Sequence, residues 1–448
     1  MKLYLPTSLS LGIILTTSLT CLSAETTQHR QWTSADGKKV TARATAYSDG
    51  KATFLLNNGK SVTIDITTLS RTDQAFIKFH FDAKEETTNY QVEPQKKDSD
   101  KSGPEEETET PETPQITNKK GSRKQGGSKI EGPESSGETT FYYHYKPSSA
   151  EGVANPSAIL WTGGGRAGNA KDLQLLTTAS ELTGMVLLAC GNSSNSGKAN
   201  YPSIDANLKH AMEKYSIDED RVFSSGASGG AARAFRNAKY YKMAGAMPLV
   251  GHTGAGLPSK SGFYYVITGA HDFNRYASSW AAKQLGRNAT VRLGTGGHNS
   301  RDAETLNDGI IWLYTRNAYD GKADETEIAN FEDRFYTYLT EDLADKPYRA
   351  YYWTDHLLNT CKIQSSNKSK FQDLHDKLES DEKNVLYLKG REDLVEFAEK
   401  ELAPIGEGSK YNHTTKSIQS AAAKLKKEYE GVPWVSQIAA ELQKKTDK

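Results

Sequence analysis

The sequence predicts an α/β protein whose central part is a mostly parallel β-sheet covered by helices on both faces. Apolar, strand-like runs alternate with helical stretches between residues 140 and 315. A turn-rich segment with short alternating strands precedes this part, and a charged segment with helical periodicity follows it. A chain of 448 residues is too long for one ordinary core, so more than one compact unit is expected.

Composition narrows the class of protein. Hydrophobic residues make up 36% of the chain, charged residues 25%, and the formal net charge is zero. These values are typical of a soluble protein rather than a membrane bundle. A chain without net charge gives no support for a nucleic-acid partner, so none is expected.

The first residues predict export. A lysine at the start, an apolar run from Leu3 to Leu19 and small residues before Glu25 indicate a signal peptide over residues 1–24. The alternative is a membrane anchor, for which the run is short. The mature chain is then expected in the periplasm or outside the cell. It keeps Cys190 and Cys361, too few for a disulfide framework, although one bridge between them stays open.

Residues 28–82 predict a small β-barrel. A turn pair of the Asp-Gly or Asn-Gly type precedes each of the runs VTARATAY, KATFLL and SVTIDI, and the helical stretch TDQAFIKF follows. The stretch RQWTSADGKKVTARATAYSDGKATFLLNNGKSVTIDITTLSRTDQAFI resembles the Sla-type homology domain, a barrel of the Src-homology-three kind that recurs in exported bacterial proteins. The resemblance implies a module that binds a protein or a surface ligand.

Residues 83–139 have the composition of a linker. Proline, serine, glycine, glutamate and lysine dominate, and apolar residues are few. Such a stretch buries too little surface to offset its chain entropy, so we predict a disordered tether.

Residues 140–315 carry the alternating pattern. The predicted strands are TFYYHY, AILWT, MVLLAC, RVFSS, AGAMPLV, FYYVIT and ATVRL. In sheets of this kind, ligands bind beyond the carboxyl ends of the strands. Residues 316–448 predict a helical C-terminal region, in which we find no catalytic constellation.

A serine motif lies at one of these strand ends. Residues Gly226 to Gly230 read GASGG, which fits G-x-S-x-G between the strand RVFSS and the helix AARAFRNA. A strand-to-helix elbow of this kind exposes the serine hydroxyl above the sheet. Ser228 is therefore the candidate nucleophile.

A serine hydroxyl needs a base and an orienting acid, which in this architecture follow in the order acid, then histidine. Asp272 follows the strand FYYVIT, and His298 follows the strand ATVRL. The alternative role for Asp272 is an N-cap of the next helix. His252 is a competing histidine, but it precedes Asp272 and fits the order less well.

Acyl transfer also needs backbone N–H groups that stabilise the oxyanion. The expected donors are Gly229, directly after the serine, and Gly164 and Gly165 in the loop after AILWT. The same loop, GGGRAG, also fits the dinucleotide pattern G-x-G-x-x-G. That alternative requires an acidic residue after the next strand, where the chain reads Cys-Gly-Asn instead.

These residues together resemble the α/β-hydrolase superfamily. The resemblance rests on WTGGGR, YSIDEDRVFSSGASGGAARAF, TGAHDFNR and GTGGH, and it covers residues 140–315. It implies an exported serine hydrolase, in which Ser228, His298 and Asp272 cleave an ester, or an amide as in peptidases, without metal or cofactor. The substrate is then a small or polymeric acyl compound. The alternative is an inactive hydrolase fold that serves in binding or surface attachment. The pattern leaves the oligomeric state open.

Overall fold

The computed structural model describes residues 29–71, 73–74, 76–78, 81, 129–137, 140–195, 200–254, 256–406 and 415–443. The predicted signal peptide and most of the predicted linker lie outside these residues. The Cα atoms group into two compact units, Met1–Asp73 and Gln74–Lys448.

The first unit contains a four-stranded antiparallel sheet in chain order. Its strands are β1 (Arg30–Thr33), β2 (Lys39–Ser48), β3 (Lys51–Leu56) and β4 (Ser61–Asp65). Trp32 is fully buried and meets Phe54 edge-to-face at 4.8 Å between ring centroids. Its indole N–H donates to the carbonyl of Ala42 at 2.8 Å, so the one polar atom of this side chain is satisfied inside the core.

The second unit contains an eight-stranded, mostly parallel sheet. Its strands are β5 (Glu131–Ser135), β6 (Phe141–Tyr145), β7 (Ala158–Thr162), β8 (Val186–Cys190), β9 (Val222–Ala227), β10 (Gly245–Leu249), β11 (Phe263–Gly269) and β12 (Ala289–Gly294). The spatial order is β12-β11-β10-β9-β7-β8-β6-β5, and all pairs from β12 to β8 are parallel. Strands β6 and β5 complete the sheet in antiparallel pairings.

Helices cover both faces of this sheet. They are α1 (Ala170–Gln174), α2 (Thr177–Thr183), α3 (Asn200–Tyr215), α4 (Gly229–Tyr240), α5 (Arg275–Leu285), α6 (Ala303–Asn317), α7 (Glu325–Thr337), α8 (Pro347–Asp355), α9 (Lys368–Glu379), α10 (Glu382–Phe397), α11 (Lys416–Glu428) and α12 (Val435–Gln443). Alternate residues of the strands enter two separate apolar clusters, one on each face. The seven predicted strands, the α/β-hydrolase fold class and the helical C-terminal region are thus confirmed.

The C-terminal helices pack onto the same sheet rather than forming a core of their own. Residues of α10, α11 and α12 belong to the apolar cluster of one face, and residues of α7 and α8 to that of the other. Strand β5 lies within the range 83–139 that composition assigns to the linker, so the sheet begins before residue 140. Within the described residues, helices of the length and apolar character that a bilayer crossing requires are absent.

Candidate active site

The predicted site residues lie at the carboxyl ends of neighbouring parallel strands. From β7 the chain continues to β8 on one side, whereas β9 lies on the other side of β7. The order of the strands therefore reverses between β7 and β9, and such a switch point leaves a crevice above the sheet. The glycine loop after β7 and Ser228 after β9 border this crevice. Strands β11 and β12 bring Asp272 and His298 to the same edge.

Ser228 occupies a strained turn between β9 and α4. Its backbone has φ 58° and ψ −120°, a conformation that residues with a side chain rarely adopt. The flanking glycines allow this turn to lie against the neighbouring strand. A Cβ atom at either Gly226 or Gly230 would approach the carbonyl oxygen of Thr162 to 2.4 Å. The glycines of the motif are therefore required by the close approach of two backbones.

We predict that Gly230→Ala lowers the free energy of unfolding by about 1–3 kcal/mol, because its methyl group would force helix α4 away from the end of β7. Chemical denaturation measures this change. Gly165→Ala is the matched control, since a Cβ atom there would meet nothing within 4 Å. Equal stability of the Gly230→Ala variant and the wild type would contradict the packing argument.

The three side chains predicted from motif order lie in one hydrogen-bonded chain. His298 Nε2 is 2.9 Å from Ser228 Oγ, and His298 Nδ1 is 3.1 Å from Asp272 Oδ1. Asp272 is fully buried, whereas the side chain of His298 is 29% exposed. The carboxylate therefore lies in a water-poor environment, and the imidazole faces the crevice.

The sequence left two alternatives open, Asp272 as a helix N-cap and His252 as the histidine of the site. Helix α5 begins at Arg275 with Asn274 as its N-cap, so the reading of Asp272 as the N-cap is wrong. Instead, Asp272 Oδ1 accepts the backbone N–H of Asn274 at 3.0 Å. The competing His252 is exposed, and its Nδ1 accepts the backbone N–H of Gly254 at 3.1 Å.

The loop that carries His298 is fixed from two sides. The carbonyl of Gly296 in this loop accepts the N–H of His271 at 2.9 Å. The N–H of Gly296 donates to Glu441 Oε2 at 2.6 Å. Glu441 belongs to α12, so the end of the helical region contacts the histidine loop directly. The ring of Phe273, 42% exposed, stacks on the imidazole of His298 with 4.4 Å between centroids. An exposed aromatic surface thus borders the imidazole.

Of the three glycines predicted as oxyanion donors, Gly229 belongs to the serine turn, Gly164 packs against it, and Gly165 follows Gly164 in the loop. Gly229 is the first residue of α4, where backbone N–H groups have no partner within the helix. Gly164 packs so closely that a Cβ atom would lie 2.2 Å from the carbonyl oxygen of Ala227. The N–H of Gly163, by contrast, donates to Ser193 Oγ at 2.7 Å, which leaves Gly164 and Gly165 as the donors that this loop offers.

Sequence reasoning missed three residues around this site. Arg233 of α4 donates to the carbonyl of Gly163, and the backbone N–H of Asn195 donates to the carbonyl of Gly164 at 2.8 Å. Glu441 is the third. The arginine lies five positions after the serine, a spacing that the motif does not cover, and Glu441 lies far away in the chain.

No family model matches this chain, and neither does any curated protein. Among solved structures, the fluorophosphonate-binding serine hydrolase F of Staphylococcus aureus has a TM-score of 0.32 at 13% identity, covering 39% of this chain and 92% of that one. Esterase 2 of Thermogutta terrifontis, phosphonylated by cyclosarin, has a TM-score of 0.34 at 14% identity, covering 44% and 96%. Acetyl xylan esterase from Aspergillus awamori has a TM-score of 0.32 at 16% identity, covering 41% and 99%.

Proposed function

We propose that this protein is an exported serine hydrolase that cleaves a carboxylic ester through an acyl-enzyme intermediate. The observation that carries the proposal is the hydrogen-bonded chain from Ser228 through His298 to the buried Asp272. The 2.9 Å between Ser228 Oγ and His298 Nε2 allows proton transfer, and the 3.1 Å between His298 Nδ1 and Asp272 Oδ1 is that of an orienting hydrogen bond. The strained turn adds support, because such strain concentrates at functional sites.

In the first half of the reaction, Ser228 Oγ attacks the carbonyl carbon of the ester, and its proton moves to His298 Nε2. The C=O π electrons move to the carbonyl oxygen, which becomes an oxyanion. The N–H of Gly229 and those of Gly164 and Gly165 are the proposed donors to this oxygen. When the tetrahedral intermediate collapses, the C–O bond breaks and the leaving alcohol takes the proton from His298.

In the second half, water replaces the alcohol. His298 removes a proton from the water as it attacks the acyl carbon, and it then returns that proton to Ser228 Oγ as the acid is released. Asp272 accepts the hydrogen bond from the Nδ1–H group of His298 throughout, stays ionised, and stabilises the imidazolium. The N-terminal sheet unit, if it follows the Sla-type resemblance, attaches the enzyme to a protein or surface ligand, and the substrate is a small or polymeric acyl compound.

We predict that a fluorophosphonate probe labels the wild-type chain and fails to label Ser228→Ala. His298→Ala is expected to lose at least about 10³-fold in labelling rate, because the hydroxyl then has no base. In-gel fluorescence over time measures the rate. His252→Ala is the matched control, since this exposed histidine contacts Gly254 rather than the serine, and it is expected to label like the wild type. A folded wild type that stays unlabelled would favour the inactive binding protein instead.

A further inference from the structure

We propose that Arg233 is a positioning residue that holds the oxyanion loop in its productive orientation and places a fixed positive charge behind it. This inference rests on the proposed hydrolase function. It concerns a buried side chain on α4, the helix that begins directly after Ser228.

The guanidinium of Arg233 joins three backbone segments at the crevice. Its Nη1 donates to the carbonyl of Gly163 in the oxyanion loop. Its Nη2 donates to the carbonyl of Ser194 at 2.8 Å and lies 3.5 Å from Asn195 Oδ1. The nucleophile helix, the glycine loop and the segment after β8 are therefore bound together through one side chain.

These bonds determine where the loop's N–H groups point. In a planar trans peptide the C=O and the following N–H point in opposite directions, and neither peptide of this loop is cis. The carbonyl of Gly163 is held by Arg233, so the N–H of Gly164 points away from the guanidinium. The carbonyl of Gly164 is held by the N–H of Asn195 at 2.8 Å, which fixes the N–H of Gly165 in the same way.

Asn195 extends the same support to the third donor. Its side-chain amide packs directly over Gly229, where a Cβ atom would lie 1.9 Å from Asn195 Oδ1. Arg233 reaches this oxygen, so the amide that covers Gly229 is oriented by the same guanidinium. The N–H groups of Gly164 and Gly165 thus lie in peptides whose carbonyls Arg233 and Asn195 hold, and the side chain of Asn195 packs against Gly229.

The charge of Arg233 has an unusual setting. The residue is 9% exposed, yet its hydrogen bonds go to neutral oxygens, and no carboxylate of the described residues forms an ion pair with it. Burial accordingly lowers the pKa of this guanidinium. A buried charge without a counter-ion is costly for stability. Placed behind donors aimed at a developing oxyanion, however, it favours the charge that forms during the reaction.

The test uses saturation kinetics of fluorophosphonate labelling on the full chain. Arg233→Met keeps much of the volume and removes both charge and donors. It is expected to lower the maximal labelling rate by about 10²-fold while the concentration for half-saturation stays unchanged. Arg233→Lys keeps the charge, but its ammonium does not reproduce the planar fork, so a smaller loss is expected. A general structural defect would instead lower the melting temperature and weaken probe binding.

Arg236→Met is the matched control, because Arg236 lies on the same helix but donates to the hydroxyl of Tyr201 at 2.8 Å. It is expected to label at the wild-type rate. A wild-type rate in a folded Arg233→Met variant would overturn the inference, as would an equal loss in Arg236→Met. If Arg233→Met does not fold, Arg233→Lys decides in the same way. An unlabelled wild type would refute the proposed function itself, which separates the two failures.

Discussion

Replacing Asp272 by asparagine is expected to lower the maximal rate of labelling and of ester hydrolysis by about 10²–10⁴-fold. In the proposed mechanism, proton transfer from Ser228 creates an imidazolium at His298, next to a fully buried carboxylate at 3.1 Å. In this water-poor setting the negative charge stabilises the imidazolium strongly. The neutral amide removes that stabilisation.

The local hydrogen bonds indicate why this loss reports on charge. Asp272 Oδ1 accepts two hydrogen bonds, one from His298 Nδ1 at 3.1 Å and one from the backbone N–H of Asn274 at 3.0 Å. An amide at this position therefore keeps its oxygen towards these two donors, and its NH₂ group faces Thr268 Oγ1, which lies 3.4 Å from Asp272 Oδ2. The imidazole keeps its orientation, and the melting temperature should stay close to that of the wild type.

Fluorophosphonate kinetics and hydrolysis of p-nitrophenyl acetate measure the effect. Asp302→Asn is a suitable control, because this exposed residue caps α6 by accepting the N–H of Thr305 at 2.7 Å, which asparagine also does. A rate for Asp272→Asn close to that of the wild type would show that the carboxylate does not assist His298.

The strand segments along the chain and the positions of the three polar side chains were predictable because each depends on short-range patterns. The strands β9, β11 and β12 are short segments that begin with apolar or β-branched residues and are bounded by glycine or polar residues. Ser228 follows β9, Asp272 follows β11 and His298 follows β12. Parallel strands end at one edge of a sheet, so residues far apart in the chain converge there without further information.

What the sequence did not predict depends on contacts between distant segments. Strand β5 reads EGPES, which has neither alternation nor strand-forming residues, and it pairs with β6 at the edge of the sheet. Its Glu134 Oε2 lies 2.6 Å from Nε2 of the buried His144. Arg233 and Glu441 are charged residues within helical runs, which periodicity assigns to solvent. Their partners are backbone groups of loops, and no spacing rule connects them.

A buried ionic cluster shows how firmly the C-terminal helices are joined to the sheet unit. Asp308 of α6 is fully buried, 2.6 Å from Arg349 Nη2 of α8 and 3.4 Å from Arg391 Nη1 of α10. Arg292 of β12 adds a third buried guanidinium, stacked over Trp434 at 3.2 Å. Asp308 therefore balances cations from several elements within the core, and Glu304, whose Oε2 lies 3.3 Å from Arg349 Nη1, is a second anion for Arg349.

We predict that Asp308→Asn lowers the free energy of unfolding by about 3–5 kcal/mol, because it leaves the buried Arg391 without its paired anion and leaves Arg349 with Glu304 alone. Urea denaturation at neutral pH measures the change. Glu428→Gln is the matched control, since its pair with Lys389 lies at the surface and should leave the stability close to that of the wild type. A similar stability of Asp308→Asn and the wild type would mean that the arginines need no counter-charge.

The pH dependence of this effect has a definite direction. Burial alone would raise the pKa of Asp308, but Arg349, Arg391 and Arg292 outweigh it and lower the pKa below the ordinary value of 3.8. The ionised carboxylate therefore stabilises the fold fully above that value, and its contribution is lost as the pH falls through the folded-state pKa. The stability difference between wild type and Asp308→Asn should stay constant near neutral pH and shrink in acid. A difference that grows on acidification would mean that the folded protein binds a proton at Asp308 more readily than the unfolded chain does.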